Sequence, residues 1–348
     1  MNSKRGALRL RDQRGLSIVE LMIAMVLASL LTIGLFQIFT SNNLTFRMTE
    51  SIARTQEAGR IATEILSREI RGAGYFGCNK ENVVNNLDET DEAYSADAHA
   101  YDIDAPISSR VADRPAGAVA GTHFMRFSGL ESAGVEVNTL GPETSASIEI
   151  SQRGDIQVDD IIAISDCAGT DIFQVSNIQQ GGGGDITLVA NSGEDDPGND
   201  FIPNGCTNCL SNSYGPGAEI LRAYNRTLYI GVSNTTGERA LMSVVPGGAP
   251  VELVEGVFDM RVRMGTSNSP NNPVNQWTDS TGAVNWNNVR AVEVSLLVRG
   301  RDDALFDGVQ SVCFPGWVDC SAGPNYQAPD SRLYRVYTFT ANVRNTSR

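Results

Sequence analysis

Between Gly15 and Phe46 the chain carries a single charge, Glu20, and from Leu21 to Phe39 it is almost wholly apolar. A helix of that length crosses most of a bilayer, so this stretch reads as a membrane segment. Farther on, apolar and small residues at Ala58, Ile61, Ala62, Ile65, Leu66 and Ile70 recur with helical period. Arg54, Glu57, Arg60, Glu64 and Arg68 occupy mostly other faces. The helix is therefore expected to continue past the membrane and to stop at the glycines Gly72, Gly74 and Gly77. That makes a rod of roughly 80 Å at 1.5 Å per residue, with its second half packed under a head.

Beyond Cys78 the pattern changes to short runs with strand character. The first set is Thr122 to Ser128, Ser147 to Ser151, Ile161 to Ser165, Ile172 to Ser176 and Ile186 to Ala190. The second set is Glu219 to Tyr224, Thr227 to Val232, Leu241 to Val245, Phe258 to Met264, Val289 to Val298 and Leu333 to Val343. Between the sets lies a loop-rich stretch, Asn191 to Pro216, read as a lobe boundary or a surface excursion. The fold class is α+β: a long amino-terminal helix, membrane-spanning in its first half, on a large strand-rich head. The expected divisions are 1–15, 16–77 and 78–348.

Composition sharpens this picture. The formal charge is −14. Lys4, Arg5, Arg9, Arg11 and Arg14 face only Asp12 in the first fifteen residues, so the remainder stands at about −18. Such an acidic chain disfavours capture of nucleic acid, which relies on basic side chains neutralising phosphates. The basic stretch before Gly15 sets the amino terminus in the cytoplasm and the rest outside. A secretory signal would have a shorter apolar region followed by a small-residue cleavage site, and would rarely open that region with an acid.

These residues carry a resemblance: the string RGLSIVELMIAMVLASLLTIG looks like the processing site of type IV prepilins and type II secretion pseudopilins. The resemblance implies that a prepilin peptidase cuts after Gly15, leaving Leu16 as an N-methylated first residue, although this family usually has phenylalanine there. It also implies that Glu20, on the helix face of the new amino terminus, pairs with the terminal amine of a neighbouring subunit. The bland alternative is a helix-start glutamate; against it, a carboxylate at mid-bilayer costs up to roughly 3 kcal/mol and calls for a partner. Several further pieces resemble the large PilW-type minor pilins, in order along the chain: GRIATEILSREIRGAGYFGC, ISDCAGTDIFQV, LVEGVFDMRVRMG, VRAVEVSLLVRG and RLYRVYTFTANVRN. The absence of proline between Leu16 and Arg71 also suits a minor subunit.

Other constellations are weaker. Gly72 to Gly77, GAGYFG, formally matches a dinucleotide fingerprint but closes a helix instead of opening one, so it reads as a turn and no cofactor is expected. Six cysteines in an exported head favour disulfides. Fifteen pairings exist; proximity favours Cys206 with Cys209 and Cys313 with Cys320, which leaves Cys78 with Cys167. Cys206 and Cys209 have C-x-x-C spacing, but zinc would need two more ligands, and no metal site is expected. The acidic runs Asp88 to Glu92, Glu194 to Asp196 and Asp302 to Asp303 lack EF-hand spacing. His99 and His123 are the only histidines, and no hydrolase, zincin or P-loop pattern occurs, so catalysis has little support. Trp277, Trp286, Trp317 and Phe314 read as contact anchors or as core.

Together the resemblance implies a minor pilin of the type IV pilus that primes assembly near the filament tip. Its implied partners are the prepilin peptidase, the other minor pilins and the major pilin, the inner-membrane assembly platform and a large tip adhesin. The competing readings are the J-type pseudopilin of type II secretion and an adhesin that uses a pilin amino terminus as its anchor.

Overall fold

The computed structural model describes residues 15, 17–78, 82–94, 105–140, 146–181, 184–192, 196–201, 209–269, 272–282, 284–301 and 308–346. Two compact units divide the chain, residues 1–52 and 53–348. The described part of segment 191–216 lies within the second unit.

One helix, α1 (Ile18–Gly72), spans 55 residues. Its opening residues meet the requirements of a helix start. Ser17 accepts a hydrogen bond from the Val19 amide at 3.2 Å, and the Glu20 carboxylate accepts one from the Ser17 amide at 3.1 Å. Two otherwise orphaned donors are thus satisfied by a Ser-x-x-Glu capping box. In the first unit the apolar side chains lie uncovered, with Ile18, Phe36 and Phe46 each more than half exposed. From residue 53 onward the helix is amphipathic as its spacing predicts. Ala62, Leu66 and Ile70 are fully buried, while Arg60 and Glu64 pair on the surface at 3.4 Å.

The helix stops where the glycines make continuation unnecessary. Gly74 adopts φ +75°, and its amide donates to Ser128 instead of back into the helix. GAGYFG then threads into the sheet: Leu130 donates its amide to the Tyr75 carbonyl, the Phe76 carbonyl accepts from the Thr170 hydroxyl, and Phe76 is fully buried.

A large sheet follows, formed by β1 (Val83–Asn85), β2 (Ile107–Ser108), β3 (Phe124–Leu140), β4 (Ser147–Ile150), β5 (Ile161–Ser165), β6 (Thr170–Gln174), β7 (Asn177–Gln180), β8 (Ile186–Val189), β9 (Glu219–Val232), β10 (Arg239–Val244) and β11 (Val251–Glu255). Its spine is the long antiparallel pair β3 and β9. The second sheet comprises β12 (Val257–Thr266), β13 (Gln276–Asp279) and β14 (Val289–Arg299). After a small hairpin of β15 (Ser311–Val312) and β16 (Tyr326–Gln327), the chain returns to it as β17 (Tyr334–Asn342). Its order is β13-β12-β14-β17.

Alternation decides which face of this second sheet is inside. Met260, Val262 and Met264 of β12 and Val292, Val294, Leu296 and Val298 of β14 are fully buried, in one cluster with Ala62, Leu66 and Ile70 of α1. At about 1.5–3 kcal/mol for each large apolar side chain, this layer dominates the attachment of the helix segment 53–72 to the head. A separate cluster around Ile148, Ile164, Phe173 and Tyr214 packs against another part of the large sheet.

Two strands are longer than the sequence indicates. The run read as Thr122 to Ser128 continues to Leu140, because Gly134 at φ +66° forms a bulge between Ser132 and Val135 and the ladder resumes beyond it. The two runs Glu219 to Tyr224 and Thr227 to Val232 are one strand. The polar residues between the two runs have partners: Asn225 accepts from Arg126 at 2.9 Å, and Arg226 donates to Glu69 at 3.0 Å.

Candidate functional site

The amino-terminal end of α1 is the segment that the sequence marks most strongly. Gly15 and Glu20 are exposed; Leu16 lies outside the described residues, as do residues 1–14. Glu20 holds the third helical position, and its carboxylate turns back toward the chain start, where the helix dipole favours negative charge. The capping box is present in the sequence as Ser17-Ile18-Val19-Glu20, where the apolar run beside it masks the signal. Behind it, the apolar half of α1 has a mean hydropathy of 2.4 over its best window, with none of that window buried in the protein. Such a surface requires lipid or other helices around it.

The other half of α1 is fastened to the head at three places. Tyr337 donates its hydroxyl to the Thr55 carbonyl at 3.1 Å, and its ring lies where a Cβ on Gly59 would be, 2.5 Å from Cζ. Near the helix end Glu69, almost buried, receives Arg226 at 3.0 Å. At the end itself Asn345 Nδ2 donates to the carbonyls of Arg71, Gly72 and Ala73 at 3.4, 3.2 and 3.2 Å. The last described turn of the chain thus caps its only α-helix among the described residues.

Cys78, just after that end, is bonded to Cys167 across a separation of 89 residues, and Cys313 to Cys320 across 7. Cys209 is also in a disulfide, while Cys206 lies outside the described residues. Beside the first bridge is a site that sequence reasoning missed. Asp171, fully buried, accepts from Asn86 Nδ2 at 2.9 Å, the Ser211 amide at 3.0 Å, the Ser211 hydroxyl at 2.7 Å and the Tyr214 hydroxyl at 2.6 Å. Burial, followed by the Asp171 charge, pushes the Tyr214 phenol well above the usual tyrosine range. Asp171 holds the segment after Cys209 onto β6. An acid directly before the apolar pair Ile172 and Phe173 was the available signal.

His123 is buried between the sheets. Its Nδ1 accepts from the Val262 amide at 3.0 Å and meets the Ser280 hydroxyl at 3.0 Å, while Nε2 faces Asp279 at 3.8 Å. Burial lowers its basicity, against a smaller opposing pull from Asp279. His99, Glu194, Asp195, Asp302 and Asp303 lie outside the described residues. Asp88 spends its carboxylate on the amide and hydroxyl of Thr90. Among the described residues no group of three or more potential metal ligands converges.

The aromatic residues divide. Phe314 is buried edge-to-face on Tyr326, and Trp286 packs against the main core. Trp277 and Trp317 flank Arg263 at 5.0 and 4.9 Å, and Arg263 also pairs with Glu293. That stack lies on the outward face of the second sheet.

The uncovered apolar start of α1 suits membrane anchoring, and the pilin features at the amino terminus imply association with other pilins and the pilus machinery. Residues 10–36 match the Prokaryotic N-terminal methylation motif, and residues 227–345 match the family described as Type IV Pilus-assembly protein W. The two matches support a minor pilin of the type IV pilus, of the PilW type. The second covers the end of β9, the whole second sheet and Asn345. Among solved structures a type IV-like pilin from Thermus thermophilus is similar at 12% identity and a TM-score of 0.32, covering 87% of this chain and 98% of its own. That likeness is too distant to transfer detail. Comparison with proteins of curated function returns no match.

Proposed function

We propose that this minor pilin enters the inner membrane as a precursor, amino terminus in the cytoplasm, is cut after Gly15 by a prepilin peptidase and methylated on Leu16, and then primes filament assembly with other minor pilins near the tip. The observation that carries the reading is the start of α1: one carboxylate, Glu20, fixed by the capping box at the head of an uncovered apolar helix. In this reading Glu20 keeps an oxygen for the terminal amine of a neighbouring subunit, which sets the axial position of one helix against the next. The apolar halves bundle in the filament core, and the head caps or bridges neighbouring heads beneath a large tip adhesin. The chain turns over no substrate in this role.

The processing step is tested on the Gly15→Leu variant. The native chain is expected to lose residues 1–15 and begin at Leu16 by amino-terminal sequencing, and the variant to keep its leader. A variant trimmed as the native chain is would contradict the cleavage site.

A further inference from the structure

We propose that the outer edge of β17 is a docking strand, which takes an extended, uncharged segment of another pilin subunit's head by main-chain pairing. The proposal rests on the reading of this chain as a pilin that assembles with its kind.

The hydrogen-bond phase of the second sheet fixes which groups face outward. At the two ends of the β14–β17 ladder the Val343 amide donates to Arg290 and the Gly300 amide donates to Leu333. The register runs from Ala291 opposite Asn342 to Arg299 opposite Tyr334 without a shift. Bonded and non-bonded pairs alternate in an antiparallel ladder. Arg335, Tyr337, Phe339 and Ala341 therefore bond to β14, and Tyr334, Val336, Thr338, Thr340 and Asn342 direct their amides and carbonyls away from it. The Tyr334 amide is taken by Gln310 at 2.6 Å. The main-chain groups of Val336, Thr338, Thr340 and Asn342 have no partner among the described residues.

Proteins blunt their open edges with short strands, charges, prolines or bulges, and the other edges here obey that rule. β1 has 3 residues, β7 is the 4-residue polar run Asn-Ile-Gln-Gln, β13 has 4 residues and ends on Asp279, and β11 carries Glu252 and Glu255 and a bulge of its own at Leu253. β17 has 9 residues, no bulge, no proline, and no charge from Val336 to Asn342. Its Thr, Val, Tyr and Phe side chains are strand formers.

Orphaned amides and carbonyls in a row are complemented by another backbone, which points to strand addition. The segment from Val336 to Asn342 offers no charge to steer a strongly acidic or basic partner. An uncharged strand is the matching chemistry.

The test uses the full-length chain in cells that make the pilus, with p-benzoylphenylalanine in place of Thr340, photo-cross-linking and sequencing of the joined peptide. The expected product is a strand peptide of another pilin. A cross-link only to a second copy of this chain, or to no pilin, overturns the proposal. In parallel, Thr340→Pro removes one outward amide without touching the β14 ladder. It should leave leader removal and the thermal midpoint near the native values while lowering incorporation into sheared pili at least tenfold. Native incorporation of a folded Thr340→Pro chain overturns the proposal; if that variant is unstable, the cross-link decides. Exclusion of Glu20→Ala with normal incorporation of Thr340→Pro would sink the docking strand alone, whereas normal incorporation of Glu20→Ala would sink the pilin reading beneath it.

Discussion

Tyr337 lies across Gly59, its ring in the space a side chain would take and its hydroxyl bonded to the Thr55 carbonyl one turn earlier. Helix propensity alone would make Gly59→Ala stabilising by up to about 1 kcal/mol. Overpacking against a ring pinned at its far end costs about 1–3 kcal/mol. We therefore expect Gly59→Ala to destabilise the head, by chemical denaturation, and the added change Tyr337→Leu to recover part of the loss. A more stable Gly59→Ala chain would mean that the ring is free to move.

The two described disulfides should differ in weight. On the chain-entropy account, closing the loop between Cys78 and Cys167 contributes about 4–5 kcal/mol, and closing the short loop between Cys313 and Cys320 about 2–3 kcal/mol. Paired alanine variants measured under oxidising conditions should lose stability in that order. A larger loss from Cys313→Ala with Cys320→Ala would reverse the ranking.

Asp171 is the anchor of the segment after Cys209. Tyr214→Phe removes its shortest bond and should cost about 1.5–3 kcal/mol, the range for a hydrogen bond to a charged acceptor. Hydrogen exchange should quicken first in residues 209–214. An unchanged exchange pattern would show that the segment is held by other means.

His123 should make the head acid-sensitive. Its folded-state basicity is depressed by burial, so the unfolded chain binds the proton more readily. The contribution is complete above the unfolded value of about 6.5 and is lost as pH falls through it toward the lower folded value. Stability measured from pH 7.5 to 5 should decline, and His123→Asn should flatten that decline. An equal slope in the variant would assign the effect to other groups.

Much of this arrangement was legible in the sequence because it is local. The apolar run, the helical spacing from Ala58 to Ile70 and a stop within the glycines Gly72, Gly74 and Gly77 each depend on neighbours within a turn or two, and the helix runs through the first two and ends at the first of these glycines. What escaped depends on partners far away. Asn225 and Arg226 look like a strand break until Arg126 and Glu69 are beside them, and Asn345 looks like a tail until it reaches the end of α1. The length of β3 was hidden by Gly134, which a single sequence presents as a breaker and the fold uses as a bulge. At the candidate site the residues were evident and the geometry was not: Ser17 shares the work of holding Glu20, through a pattern only four residues long.

We propose that Glu20 serves assembly and not merely the start of its own helix. The direct measurement is the amount of full-length Glu20→Ala chain in sheared pili, relative to the amount in the membrane, beside a Glu20→Gln chain that keeps a capping oxygen without the charge. The account predicts normal leader removal and membrane insertion in both, with incorporation reduced at least tenfold in both. Native incorporation of Glu20→Gln would contradict it, because capping alone would then explain the carboxylate.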